Sequence, residues 1–196
     1  DVDNGPAWST ESLLIHEYKL YVAINNAFDY GNYKGIIGVV DLMAMTYVNE
    51  IDLGEDGKNP INMMFKNDNI YTLNNKNWDG SSISSVDLSN LDTETTNLST
   101  VSAGCGVSII RDEKINYQKS GDTEMYIFDL DTESEIGVEQ NLNYNYYAIS
   151  EQPLNNYLYA AISNFTSDAE VVIYDNDNNL VNSFFADVAT SKIVFD

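Results

Sequence analysis

The chain has few side chains that could do acid–base, metal or nucleophilic chemistry. His16 is its only histidine and Cys105 its only cysteine, so neither a three-histidine metal site nor an internal disulfide can be assembled. His16 sits in Ser-Leu-Leu-Ile-His-Glu, at the expected end of a strand. No Gly-x-Ser-x-Gly elbow presents a nucleophilic serine. Cys105, in Ala-Gly-Cys-Gly, lacks a second histidine to activate it and reads as a small core residue. The acidic run Asp175-Asn176-Asp177-Asn178-Asn179 invites a calcium reading, but it lacks the Gly at the sharp turn and the distal bidentate Glu of a calcium loop. No catalytic residue, metal or cofactor is assigned.

Aromatic side chains in polar segments are the better candidates. Trp8, Phe28, Tyr30, Tyr33, Trp78, Tyr144 and Phe165 all fall between apolar strand patterns. Rings on connecting loops can stack on a sugar, a corrin or a peptide, or anchor a protein interface. They can also fold inward and fill gaps between sheets. Asp29, Asn32, Asn77, Asp79 and Asp122 are interleaved with them and can supply directional hydrogen bonds, or merely solvate the loops. Trp8, Phe28, Tyr30, Tyr33, Trp78, Asp79, Tyr144 and Phe165 form the candidate binding set. Tyr30, Tyr33 and Trp78 lead it because their loops are longest.

The elements that must position these residues repeat along the chain. Lys19 to Leu42 reads as an apolar strand, an aromatic-rich polar loop and a second strand ending in Asp-Leu, and the pattern returns from Asn69, from Lys114 and around Tyr157. Leu20, Ile70, Ile115 and Leu158 are spaced by 50, 45 and 43 residues; Asp41, Asp87, Asp129 and Asp175 by 46, 42 and 46. A period of roughly 40 to 50 residues made only of strands is the signature of β-propeller blades, since helical repeats of that length would show a 3.6-residue apolar period.

Each unit reads as four strands, a to d. They are expected at 12–17, 19–25, 35–42 and 47–53; at 61–66, from 69, at 83–88 and near 95–101; at 106–112, from 114, from 124 and near 135–140; and at 146–152, from 157, from 170 and at 180–186. The expected fold is all-β: one propeller domain or segment of four-stranded antiparallel blades over about 8–54, 59–101, 104–141 and 145–187. Outer strands are expected to be the more polar, as suits an edge that meets water. The Asp ending each strand c is placed to accept backbone N–H bonds in the turn to strand d. The terminal 189–196 reads as strand a of one further blade, so the chain is expected to be the C-terminal part of a larger ring, with a closed four-bladed ring as the alternative.

The totals exclude some functions. With 31 acidic and 9 basic residues the formal charge is −22, which repels phosphate backbones and anionic lipid, so no nucleic-acid partner is expected. No run of about 18 apolar residues can span a bilayer. The sequons Asn97-Leu98-Ser99 and Asn164-Phe165-Thr166 would matter only in a eukaryotic secretory setting.

Lys19-Leu20-Tyr21-Val22-Ala23, the repeated Val-x-Asp-Leu of strand c, Gly104-Cys105-Gly106 and the terminal Ser191-Lys192-Ile193-Val194-Phe195 together resemble the YVTN or YncE-like surface-layer-type propellers, in particular the outer-membrane propeller lipoproteins of Bacteroidetes. The resemblance implies a ring of about seven blades and a lipid-anchored protein on the bacterial cell surface, with the anchor itself not in this chain. It implies a non-catalytic accessory subunit of a TonB-dependent uptake or secretion complex. Its partners would be an outer-membrane transporter or secretion-complex protein, and a small ligand such as a corrinoid or glycan. A propeller hydrolase or lyase completed by residues outside this chain, and a structural adhesin or spacer, are the alternatives.

Overall fold

The computed structural model describes residues 9–25, 34–76, 80–99, 106–119 and 121–195. Among them lie sixteen strands in four antiparallel sheets, each in simple chain order. The first sheet is β1 (Ser9–His16), β2 (Lys19–Asn25), β3 (Ile36–Asp41) and β4 (Thr46–Asp52), and the second β5 (Pro60–Lys66), β6 (Asn69–Asn74), β7 (Ser82–Asp87) and β8 (Thr93–Asn97). The third is β9 (Ser108–Arg111), β10 (Lys114–Tyr117), β11 (Met125–Asp129) and β12 (Ser134–Glu139), and the fourth β13 (Ala148–Glu151), β14 (Leu158–Ile162), β15 (Asp168–Tyr174) and β16 (Leu180–Val188). These are the four expected blades. They group in pairs into two compact units, Asp1–Gly104 and Cys105–Asp196.

The inner strand β2 carries consecutive apolar residues because both of its faces are covered. Val22, Ala23 and Ile24 are consecutive and all buried in β2, whereas β8, Thr-Glu-Thr-Thr-Asn, stays half wet at the outer edge. In the first unit Tyr21, Ala23, Ile37, Val39, Ile51 and Leu53 pack on Met63, Ile70 and Val86 of the next blade, and Ser12 Oγ accepts the Met63 N–H at 3.2 Å. In the second, Val107, Met125 and Leu142 pack on Tyr146, Leu158, Ala160, Val172 and Tyr174. Burial of this kind contributes roughly 25 cal/mol per Å² of apolar surface.

The turns repeat as closely as the strands. Glu17-Tyr18, Asn67-Asp68 and Asp112-Glu113 join strands a and b with both residues at positive φ, the conformation whose twist suits a two-residue hairpin. In the c to d turns a left-handed residue recurs as Met45, Leu91, Glu133 and Asn178. Each of these turns is headed by the expected aspartate. Asp41 Oδ1 accepts Met43 N and Ala44 N at 2.8 and 2.9 Å, Asp87 Oδ1 accepts Ser89 N at 2.8 Å, Asp129 Oδ1 accepts Asp131 N and Thr132 N at 3.1 and 2.9 Å, and Asp175 Oδ1 accepts Asp177 N and Asn179 N at 3.0 and 2.8 Å. Asp175 therefore caps its hairpin as its three counterparts do.

These bonds hold the carboxyls of Asp87, Asp129 and Asp175 below the ordinary aspartate range, through Ser89, Thr132 and Asn179 respectively. A depressed folded-state pKa gives stability that is present above the unfolded value and lost as pH falls through the folded one. The double variant Asp129→Asn/Asp175→Asn keeps an acceptor oxygen in each turn but cannot titrate. Its urea midpoint should fall less between pH 5 and pH 2.5 than that of the native chain; equal slopes would show that the caps do not carry acid sensitivity.

Three expectations need correction. Strand d of the second blade starts earlier and ends at Asn97. Strand a of the fourth begins at Ala148 and not Tyr146, because the Tyr146 N–H is taken at 2.8 Å by the Gln118 side chain. The outer strand β16 is not polar: Leu180, Val181, Phe184, Phe185 and Val188 are exposed along it. The terminal segment carries no strand pairing among the described residues. Ile193 nonetheless packs over Ala148, Ala161 and Val171 on the outer face of the fourth blade, and Phe195 meets Tyr159 edge-on at 5.0 Å, while Val194 between them faces water. That alternation is strand-like.

Candidate functional site

Antiparallel chain order sends the a–b and c–d turns of each sheet to one end and the b–c loops and d–a crossovers to the other. The crossovers come close to neighbouring backbone. A Cβ on Gly35 would lie 1.9 Å from the Gly57 carbonyl oxygen, and one on Gly106 would lie 1.8 Å from that of Gln118. Only glycine fits such approaches.

Of the candidate binding set, Trp8, Phe28, Tyr30, Tyr33, Trp78 and Asp79 lie outside the described residues, as do Asp29, Asn32, Asn77 and Cys105. Tyr144 and Phe165 are described, and both belong to the loop end of the second unit. Phe165 is 58 % exposed, sits at φ 62° and meets the Tyr147 ring edge-on at 4.8 Å. Its loop is pinned by Asn164, whose Oδ1 accepts Thr166 N and Ser167 N at 3.1 and 3.0 Å. The sequon asparagine thus acts as a loop staple.

Tyr144 is 47 % exposed, with its ring 6.2 Å from that of Tyr146. The buried Gln118 fixes this crossover at two points, donating Nε2 to the Tyr144 carbonyl at 2.6 Å and accepting from Tyr146 N. Tyr146 itself is buried, and its hydroxyl meets that of Tyr174 at 3.0 Å. Burial, then the Tyr174 hydroxyl, push its pKa up, so it stays neutral. Tyr144 and Phe165 offer surface while Tyr146 and Tyr174 build the wall behind.

Asp122 is committed to its own loop. Its carboxylate accepts Thr123 N at 2.7 Å and Glu124 N at 3.2 Å, takes a bond from Tyr126 Oη at 3.2 Å, and faces Lys119 Nζ at 3.3 Å. His16 lies at the turn end of its own blade, 4.2 Å from the Phe65 ring and 3.7 Å from Asp68 Oδ1. No group of three metal-ligating side chains occurs among the described residues.

Two polar constellations escape a reading of the sequence. Arg111, the chain's only arginine, is buried at the end of β9 and donates Nε to Glu151 Oε2 and Nη1 to Asn178 Oδ1, both at 2.7 Å. In the second blade Asn74 accepts from Thr72 Oγ1 at 2.8 Å and donates to Ser82 Oγ and Ser84 Oγ at 3.0 and 2.9 Å. Ser84 meets Thr95 at 2.8 Å, and Ser82 donates to the Asp56 carbonyl at 2.5 Å, so the crossover from the first blade is tied in. The sequence signal was Ser81-Ser82-Ile83-Ser84-Ser85, hydroxyls where other c strands are apolar.

The four sheets and their shared turn pattern define a chain of propeller-type blades. No protein-family model matches it, and no curated protein does. Among solved structures it is similar to hydrazine synthase of Kuenenia stuttgartiensis, with a TM-score of 0.66 and 12 % identity over 94 % of this chain. The chain spans about half, 52 %, of that structure's length. At this identity the likeness is one of fold alone, and the 457 solved chains that match mark a widely shared architecture.

Proposed function

We propose that the chain is a non-catalytic binding propeller of the YncE-like kind, working on the bacterial cell surface as a lipid-anchored accessory subunit of an outer-membrane uptake or secretion complex. In this reading it forms part of a larger ring whose loop end captures a partner protein or a small ligand such as a corrinoid or glycan. The observation that carries the reading is the pair Tyr144 and Phe165. Both rings stand half exposed on loops whose backbones are fixed by the Gln118 and Asn164 side chains. Aromatic rings held open in this way provide contact area with little ordering cost on binding. Asp122 and His16 are both engaged by neighbouring groups of the scaffold, which favours binding over turnover.

The test adds Tyr144→Ala and Phe165→Ala to Tyr30→Ala, Tyr33→Ala and Trp78→Ala, and measures recovery of the outer-membrane complex and ligand-induced shifts in melting temperature. At least about a tenfold loss of binding, equivalent to 1.4 kcal/mol, is expected with folding intact. Unchanged recovery would remove the loop end from consideration.

A further inference from the structure

The repeat supplies an internal control for the turn end, and the first blade departs from it. Its a–b turn carries Tyr18 where the second and third blades have Asp68 and Glu113. Its c–d turn reads Asp41-Leu42-Met43-Ala44-Met45, against Asp87-Leu88-Ser89-Asn90-Leu91 and Asp129-Leu130-Asp131-Thr132-Glu133. The backbone is the same in each, with positive φ at Tyr18, Asp68 and Glu113 and again at Met45, Leu91 and Glu133. Scaffold geometry therefore does not call for apolar residues at Tyr18 and Met43; at the Met45 position the second blade also has an exposed apolar residue, Leu91, while the third has Glu133. Tyr18, Met43 and Met45 are 74, 78 and 75 % exposed. The two turns are joined by the Leu42 N–H bond to the Tyr18 carbonyl at 2.9 Å, so the three side chains belong to one corner of the blade.

An aromatic and a methionine at positive φ each carry a conformational cost of about 1 kcal/mol that asparagine or glycine would lessen. Exposed methionines are adaptable contact residues, and tyrosine is enriched where interfaces concentrate their energy. We infer that this corner is a second docking surface, distinct from the loop end, for a protein segment with an apolar centre and lysine or arginine around it. The basic rim follows from charge. Glu17 stands exposed beside Tyr18 and Asp41 heads the neighbouring turn; Lys19, opposite Asp41 in register, offsets one of these charges, but the chain carries −22 overall. A second copy or an anionic lipid surface would meet like charge, whereas a basic partner is steered inward.

The test uses two fluorescein-labelled synthetic peptides with the same Leu-Phe-Leu centre, one flanked by lysines and one by glutamates. They are titrated against the native chain and against Tyr18→Asn/Met43→Ser/Met45→Asn. Asparagine tolerates the left-handed positions and leaves the charge unchanged, so the variant should fold at least as stably as the native chain, checked by thermal unfolding. Expected is binding of the lysine-flanked peptide that weakens as salt rises and falls at least about tenfold in the variant, with perturbation of the Met43 and Met45 methyl resonances. Equal binding by the variant, or equal binding of the glutamate-flanked peptide, would overturn the proposal. So would phosphatidylcholine-vesicle binding or self-association that the native chain shows and the variant loses, since either would assign the corner to a different occupant.

Discussion

Arg111→Ala should lower the stability of the second unit by about 2–3 kcal/mol. Removing one partner of a buried pair leaves the other without compensation, and Arg111 is only 8 % exposed while the Glu151 side chain keeps 27 % of its surface. Residual water at Glu151 softens the loss, which is why the figure sits below that for a fully buried pair. The guanidinium bridges the ends of β9 and β13 and reaches the c–d turn of the fourth blade at Asn178 and the a–b loop at the Asn156 carbonyl, 3.4 Å away. A lysine ammonium has three donors but all on one nitrogen, so it cannot reach acceptors that Arg111 meets through the separate Nε, Nη1 and Nη2 of its planar fork, and Arg111→Lys should recover less than half of the loss. Urea unfolding, read through hydrogen exchange of β9 and β13 amides, measures both. A double-mutant cycle with Glu151→Gln should give a coupling of about 1 kcal/mol or more. Additive effects would mean that the arginine contributes through its aliphatic stem alone.

The reason this clamp is invisible in the sequence also sets the limit on what the sequence shows. A repeat reports what is common to its copies. The spacing of Leu20, Ile70, Ile115 and Leu158 and the recurring Asp of strand c are set by the four-stranded sheet and its capped turn, and both were legible because every blade must satisfy the same backbone bonds. Arg111 occurs once, and its partners lie 40 and 67 residues away. Nothing local distinguishes it from a surface arginine. Gln118 is similar: a polar residue at a strand end, fully buried because the Tyr144–Tyr146 crossover needs both an acceptor and a donor. The start of β13 slipped to Ala148 for that same reason. At the loop end, the sequence located Tyr144 and Phe165 in the right connections. It put Tyr146 in the strand that follows, but how far each ring is exposed was not legible, since exposure depends on which neighbour covers it.

The hydroxyl-rich second blade gives the other large effect, with a pH dependence opposite to that of the turn aspartates. Asn74→Ala should cost about 3 kcal/mol. It empties a site with no solvent exposure, strips the Thr72 hydroxyl of its acceptor, and takes a donor from both Ser82 and Ser84. Asn74→Asp is nearly isosteric, yet it replaces the amide donor by a second acceptor. Ser82 can then satisfy the carboxylate only by releasing the Asp56 carbonyl. Full burial with only the Thr72 hydroxyl still donating to it disfavours the charged form, so the new carboxyl should titrate above its unfolded value. The folded variant then holds its proton over a pH range where the unfolded chain has lost it, and its stability falls as pH rises through that range. Asn74→Asp should therefore come closest to the native chain near pH 4 and be weakest, relative to it, at pH 7 and above. Removing the whole network, with Asn74→Leu, Thr72→Val, Ser82→Ala and Ser84→Ala together, should cost less than Asn74→Ala alone, because Thr95 keeps its bond to the Leu53 carbonyl at 3.4 Å and only the Asp56 carbonyl loses its partner. Chemical denaturation of the three variants from pH 4 to pH 8 measures these differences. A pH-independent deficit in Asn74→Asp would place the aspartate in contact with water and show that the network is open to solvent.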